Sequence, residues 1–475
     1  MTSPISSTQG HDDDCTSAVV GYVEEIVDAI ATKFPTRLPT VERDRWRRDA
    51  NGVVKKVTVE EPFLAFALHD LNESLPSYAA TAAKICADPD FGPLVGSLLG
   101  NQIRRSLFDA KTVIAHATQS ILDGQGRPSF DRRAVSAEIA KLRAYVRAAN
   151  HRSTLIIPLP GLTAPQFPVL LEEGLEFDLL TDEEVEAGLD CGLLRPPFPP
   201  LTFLEAIDCV GVRISISSPT VRTHPGDPEP RPARPHRFGV RSVSHFGELV
   251  EEVLFVLRLA RPGLLANLGG VLITDDHMGS ARTWTARATR PHGWQSYVLD
   301  EATVATVSAL WRDLKATPPG GKRALPAICM RRFNAASDRV SLEDAVVDYI
   351  IAAEALFLRD VGSPDDRGEL GYRLALRAGV LLEGGDRSRR NTVQFMRRAY
   401  DLRSVIAHGG PPPSVVKIAG DEVTISRFVD ELGSLMRAAL TKAVGLYVTD
   451  PTFGTAEYWD ERILGPAVQE TAEGP

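Results

Sequence analysis

Cysteine is scarce and scattered in this chain. The five cysteines, Cys15, Cys86, Cys191, Cys209 and Cys329, form no CxxC pair and are odd in number. That pattern argues against a zinc site and against a disulfide framework. Free thiols in a reducing compartment are the expectation. No run of 18 or more apolar residues occurs, so no transmembrane helix and no membrane partner are expected. The segment Met1 to Asp14 is polar and acidic, and lacks the basic, apolar, small-residue order of a signal peptide. A cytoplasmic location is therefore expected. GxxxxGK[ST], HExxH and GxSxG are all missing. Gly269-Gly270 and Gly320-Gly321 read as isolated turns. Asp275-Asp276-His277 reads as a turn rather than a metal site, and no cofactor is expected.

What is present fits a soluble globular protein. The chain has 475 residues, 43% of them hydrophobic and 24% charged. That length suggests two or three domains. The net charge of −9 argues against a general nucleic-acid coat protein, and no DNA partner is expected. The acidity is uneven. Residues 300–449 hold 21 Lys and Arg against 19 Asp and Glu, leaving 32 against 43 elsewhere. A local basic patch remains open to the C-terminal region, and RNA binding would rely on it.

Periodicity divides the chain. Residues 1–16 are polar, with three consecutive aspartates, and read as disordered. Residues 17–150 read as mainly helical, with helices over Val19–Lys33, Ser77–Ala87, Gly92–Leu122 and Arg132–Ala149. Residues 151–298 read as a mixed α+β region. Its strands are expected at Ser153–Leu159, Leu175–Leu180, Ala206–Ile216, Gly270–Thr274 and Ala281–Ala288, and a helix at Phe246–Ala260. Pro-rich loops are expected at Leu193–Pro200 and Pro219–Pro235. Residues 299–449 read as all-helical. Segments there run over Glu301–Lys315, Leu325–Ala336, Leu342–Arg359, Gly368–Glu383, Ser388–His408 and Glu422–Val448. Ser341 with Asp344 makes a capping-box-like start. Residues 450–475 read as an irregular tail. The fold class expected is α+β, a mixed α/β N-terminal region followed by an all-α bundle.

Two stretches of the C-terminal region stand out together. One is Leu342-Glu-Asp-Ala-Val-Val-Asp-Tyr-Ile-Ile-Ala-Ala-Glu-Ala-Leu-Phe357, and the other is Arg397-Arg-Ala-Tyr-Asp-Leu-Arg-Ser-Val-Ile-Ala-His-Gly-Gly410. The first resembles the signature helix of the Apea-like branch of the HEPN superfamily, with Glu354 in an Ala-Ala-Glu-Ala-Leu core. The second resembles that family's Arg-Ser-x-Ile-x-His-Gly motif. Met330-Arg-Arg-Phe-Asn334 and the helix from Leu370 to Leu382 fit as its lead-in and connecting segments. The resemblance covers about residues 300–449.

Spacing alone proves nothing, because Arg-x4-His also occurs at Arg231/His236 and Arg287/His292. Only Arg403/His408 sits on a strong helical pattern. There Ala399, Leu402, Val405 and Ile406 form an apolar stripe, and Gly409, Gly410 and Pro411 stop the helix. Side chains five apart on an ideal helix differ by about 140°. Convergence thus needs a loosened last turn or a second copy of the domain.

The resemblance implies metal-independent RNA cleavage, with His408 as acid/base and Arg403 as phosphate clamp. It also implies a homodimer and a defence or toxin-like setting. Ser404 stands at the polar position after the arginine, and Glu354 could partner Arg403. Arg387, Arg389, Arg390, Arg397 and Arg398 are candidate contacts to the RNA backbone. Plain structural readings stand beside these. His408 near a helix end suits the dipole, Arg403 can pair with Asp401 or Glu354, and the five arginines can form a solvated face. Tyr400 reads as core. Lys111 and His116 echo the motif with lysine in place of arginine and read as coincidence. A non-catalytic dimerisation or RNA-binding module is the competing expectation, with residues 151–295 as a sensor a third.

Overall fold

The computed structural model describes residues 14–35, 38–48, 54–62, 74–100, 105–121, 127–159, 162–185, 210–219, 221–223, 243–263, 265, 270–274, 282–284, 297–316, 324–361, 369–384, 387–411, 413–418 and 421–465. The segments 1–13, 193–200 and 224–235, the Asp275-Asp276-His277 cluster, and the pairs Arg231/His236 and Arg287/His292 lie outside them. The fold is α+β.

The N-terminal part builds its own core. Helix α1 (Asp14–Lys33) buries Val19, Tyr22, Val23, Ile26 and Ile30, a helical period that makes one apolar face. A charged hairpin follows, β1 (Thr40–Arg48) with β2 (Val54–Pro62), in which Arg45 forks onto Glu61. Helix α2 (Tyr78–Ala87) comes next. The single helix expected over Gly92–Leu122 is not what forms. Gly96 turns at φ +83°, and strands β3 (Ser97–Gly100) and β4 (Arg105–Phe108) pair before helix α3 (Ala110–Ala117) begins. Helix α4 (Arg132–Arg147) starts where Asp131 accepts from the Arg133 and Ala134 amides. His116 is buried beside Glu138 of α4, with Nε2 3.4 Å from the carboxylate, so it belongs to this core.

The middle of the chain makes an antiparallel sheet. Strands β5 (Asn150–Leu159), β7 (Val169–Glu172), β8 (Leu175–Leu179) and β9 (Val210–Pro219) precede helix α5 (Val243–Ala260), and β11 (Gly270–Thr274) and β12 (Arg282–Trp284) follow it. The order is β12-β11-β5-β9-β8-β7. Two short strands, β6 (Leu162–Thr163) and β13 (Tyr297–Val298), pair in parallel beside it, and β10 (Val221–Thr223) pairs with β3. Leu155, Ile157 and Leu159 of β5 alternate into the core with Val212, Ile214, Leu175 and Phe177. Ile156 is buried on the opposite face, which explains why the run reads as continuously apolar.

The C-terminal region is helical, with one exception. Helices α6 (Glu301–Ala316), α7 (Ala327–Asp338), α8 (Leu342–Phe357), α9 (Leu370–Leu381) and α10 (Arg389–Ala407) precede a hairpin, β14 (Val415–Ile418) with β15 (Asp421–Thr424). The region is thus not all-α. Helix α11 (Ile425–Thr449) follows. The expected irregular tail contains helix α12 (Ala456–Leu464), capped by Thr455, with Trp459 fully buried. At the start of α8 half of the capping box forms: Asp344 N–H donates to Ser341 Oγ, and the Ser341 hydroxyl turns to Glu343.

One core runs from β5 to α12, across residues 298 and 299. Helix α5 explains it. Residues 253–259 are all buried, so the helix is enclosed on nearly every side. Arg258 is tolerated inside because its guanidinium donates to the carbonyls of Asn334 and Leu265 and to the Asp338 carboxylate. Beside it, Asn334 Nδ2 donates to Glu251 Oε2 at 2.6 Å. Burial raises the pKa of both Glu251 and Asp338, against the pull of Arg258. A raised folded-state value means that the fold prefers the protonated form. The stability linked to these two groups is complete below the ordinary carboxylate range and falls as pH rises through the raised values. Glu251→Gln should therefore lose less stability than the native chain as pH rises above the ordinary carboxylate range. Urea midpoints measured over that rise test it, and parallel declines would refute it.

Among the described residues no helix is long and apolar enough to cross a membrane.

Candidate functional site

Helix α10 positions the motif. Ser388 caps its start by accepting from the Asn391 amide, and Thr392, Phe395, Met396, Ala399 and Leu402 form the buried face. Phe395 stacks on Phe428 of α11 at 4.8 Å between centroids. The apolar stripe ends sooner than its sequence suggests. Val405 is 46% exposed, lying against Gly410 where the chain turns away. The last turn closes with two reverse bonds, Gly409 N–H to the Ile406 carbonyl and Gly410 N–H to the Val405 carbonyl, both 2.9 Å. This is a Schellman ending, and Gly409 supplies its left-handed residue at φ +78°. His408 is the C-cap residue, exposed, with its amide on the Ser404 carbonyl at 3.1 Å.

Arg403 points elsewhere. It reaches across to Glu354 in the last turn of α8, with Nη2 3.5 Å from Oε2 and about a third of the side chain exposed. Its Nε is buried without a hydrogen-bond partner. The guanidinium also lies 6.0 Å from the centre of the Tyr400 ring. Tyr400 acts on the Glu354 carboxyl and favours its charged form. Burial is the larger influence and raises the Glu354 pKa, opposed by Arg403 and then Tyr400. Burial also raises that of the Tyr400 hydroxyl, helped by the Glu354 charge.

Helix α9 completes the cluster with a glycine. A Cβ at Gly371 would come within 2.7 Å of Tyr400 Cδ1, so the ring packs closely against the bare backbone there. Three helices thus meet at Tyr400. Tyr400, read as core, is half-buried and packs against the main core, and it also joins the Arg403 cluster. Its signal in the sequence was the i, i+3 spacing to Arg403 on one helix face.

Arg403 and Glu354 are brought together, and His408 is not joined to them: no hydrogen bond or ion pair links Arg403 to His408. His408 instead shares its helix face with Arg390, Arg397 and Ser404, at spacings of seven, seven and four. Ser404 is half-buried and contributes its carbonyl to the cap.

The basic set divides. Arg387 is paired with Glu431 and lies over the Phe395 ring at 4.8 Å, which makes it an anchor of the bundle. Arg389 sits 4.0 Å from Glu383, and Arg397 lies 5.7 Å from the centre of the Tyr372 ring. Arg390 and Arg398 are exposed. Arg389 and Arg390 stand roughly 20 Å along the axis from Arg403, so the five do not form one patch around it. Among the described residues no cluster of His, Cys, Asp and Glu has the makings of a metal site.

No protein-family model matches the chain, and no curated protein or solved structure matches it either.

Proposed function

We propose that the chain is a HEPN-type endoribonuclease that works without a metal, as a homodimer in the cytoplasm, in a defence or toxin-like role. The observation that carries this reading is Arg403, a partly exposed guanidinium whose Nε lacks an acceptor, on the same helix as an exposed His408. An arginine of this kind suits a phosphate, which accepts two parallel N–H bonds. In the reaction the RNA 2′-oxygen attacks phosphorus, the bond from phosphorus to the 5′-oxygen breaks, and a 2′,3′-cyclic phosphate forms. His408 either takes the 2′-OH proton while water protonates the departing 5′-oxygen, or protonates that oxygen while water takes the 2′-OH proton. Arg403 stabilises the charge that grows on the phosphoryl oxygens. The two side chains diverge on one helix, so a complete site would take them from two copies.

Mixing variants tests this directly. Arg403→Ala and His408→Ala should each be inactive on total RNA. Co-refolded mixtures should regain part of the activity, because one of the two shared sites keeps both groups. Cleavage by His408→Ala at the native rate would refute the proposal.

A second reading has its own observation. Arg403 is engaged with Glu354, and His408 faces a different way. In that reading the domain is a dimerisation or RNA-binding module in which the pair secures the helix end. His408→Ala would then change neither RNA affinity nor oligomeric state.

A further inference from the structure

Arg403, Glu354 and Tyr400 form a closed local system with one loose joint. The guanidinium sits 3.5 Å from the carboxylate as an ion pair, and Nε has no acceptor. The carboxylate lies in the last turn of α8, and the tyrosine acts on it. The tyrosine has little freedom, because its ring is seated on Gly371. An anion approaching Arg403 would meet Glu354 on the same guanidinium. Two anions crowded at one cation disfavour each other's charged forms, and one of them protonates.

We propose that an anion arriving at Arg403 displaces Glu354 from the guanidinium and that Glu354 takes up a proton from solvent as it does so. This rests on the reading of Arg403 as a phosphate-binding group. Resting Glu354 is then a built-in competitor that keeps Arg403 neutralised until a phosphodiester replaces it.

Burial already inclines Glu354 toward its neutral form, and Arg403 opposes this most. Screening of the Arg403 charge by a bound phosphate would remove that opposition. Among the described residues the groups that act on the carboxyl are Arg403 and Tyr400, both from α10. Proton uptake therefore falls in the pH range just above that of an ordinary carboxylate. His408 is not among the groups that act on Glu354.

The test is calorimetric titration of a short 2′-O-methyl oligoribonucleotide. It cannot be cleaved, and its diesters keep their charge from about pH 5 to 8. Running it in buffers of different ionisation enthalpy reads the protons taken up on binding. The native chain should take up a fraction of a proton and bind more tightly as pH falls, by up to about tenfold per pH unit inside the window. Glu354→Gln should bind at least as tightly as the native chain at pH 8, with flat affinity and no uptake. His408→Ala should keep the uptake. Tyr400→Phe, which leaves the ring on Gly371, should move the window to higher pH, since the hydroxyl favouring the carboxylate is lost. Native-like uptake by Glu354→Gln would overturn the proposal, as would loss of all uptake in His408→Ala. Absence of binding, or equal binding by Arg403→Ala, would overturn it as well. The nuclease reading fails separately: an oligonucleotide bound with proton uptake beside natural RNA that is never cut would sink only that reading. RNA cut normally, with no uptake on binding, would sink only the linkage.

Discussion

His408→Ala should leave the chain folded and reduce RNA cleavage by about 10²–10⁴-fold, the span expected for loss of a positioned acid or base. Folding is preserved because the imidazole is exposed and the cap is made by backbone. The amide of residue 408 still reaches the Ser404 carbonyl, and Gly409 still turns the chain. Arg403→Lys should fall between the native chain and Arg403→Ala, since lysine keeps the charge but not the planar fork. Under the proposed chemistry the two groups act on one phosphate. The double variant should then be no slower than the worse single one, a non-additivity that unrelated lesions would not show. Gel analysis of total RNA and end-group analysis for the cyclic phosphate measure both. Cleavage by His408→Ala within a few-fold of the native rate would count against His408 as the acid or base.

Trp459→Ala should cost about 3–5 kcal/mol of stability, the range for emptying a buried aromatic site. Trp459 lies in a short helix near the end of the described chain, with the rings of Phe357, Phe453 and Tyr458 at 6.0, 5.9 and 4.9 Å. The Arg377 guanidinium stands 5.4 Å from it. Arg377 is itself held by Asp360 and by the Phe357 carbonyl, so the indole closes an already ordered pocket. The indole Nε1 has no acceptor. Trp459→Phe, which gives up that unused donor and part of the ring, should therefore recover most of the loss. Removal of residues 451–475 should be at least as damaging as Trp459→Ala. Urea unfolding followed by circular dichroism measures all three. A truncated chain as stable as the native one would show that α12 is not part of the core.

The long helices were legible because two signals agreed on them. Val135, Ile139, Leu142 and Val146 mark a face on α4, and Asp131 marks its start; Ser341 and Ser388 do the same for α8 and α10. The hairpins were not. β1 and β2 carry charge where a strand signal wants alternating apolar residues, and their pairing draws on Arg45 and Glu61, which only the folded register brings together. Leu94, Leu98 and Leu99 imitate a helix until Gly92 and Gly96 are considered. Gly92 has no room for a Cβ, which would lie 2.3 Å from the Cys86 carbonyl, and Gly96 turns left-handed. Helix α12 is too short for periodicity to show, and its two aromatic residues decide its fate. In the site, the Glu354–Arg403 partnership was open to reading as one of two pairings. The seat of Tyr400 on Gly371 was not, because it depends on how α9 crosses α10.

Helix α5 packs on α6, α7 and α11 of the bundle and shares one core with the strands of the sheet. Neither half is a portable module. A chain severed near residue 298 would leave α5 in the first fragment without α6, α7 and α11, and would leave those helices without α5. A cavity opened in α5 would therefore be felt by the packing on both sides of that boundary.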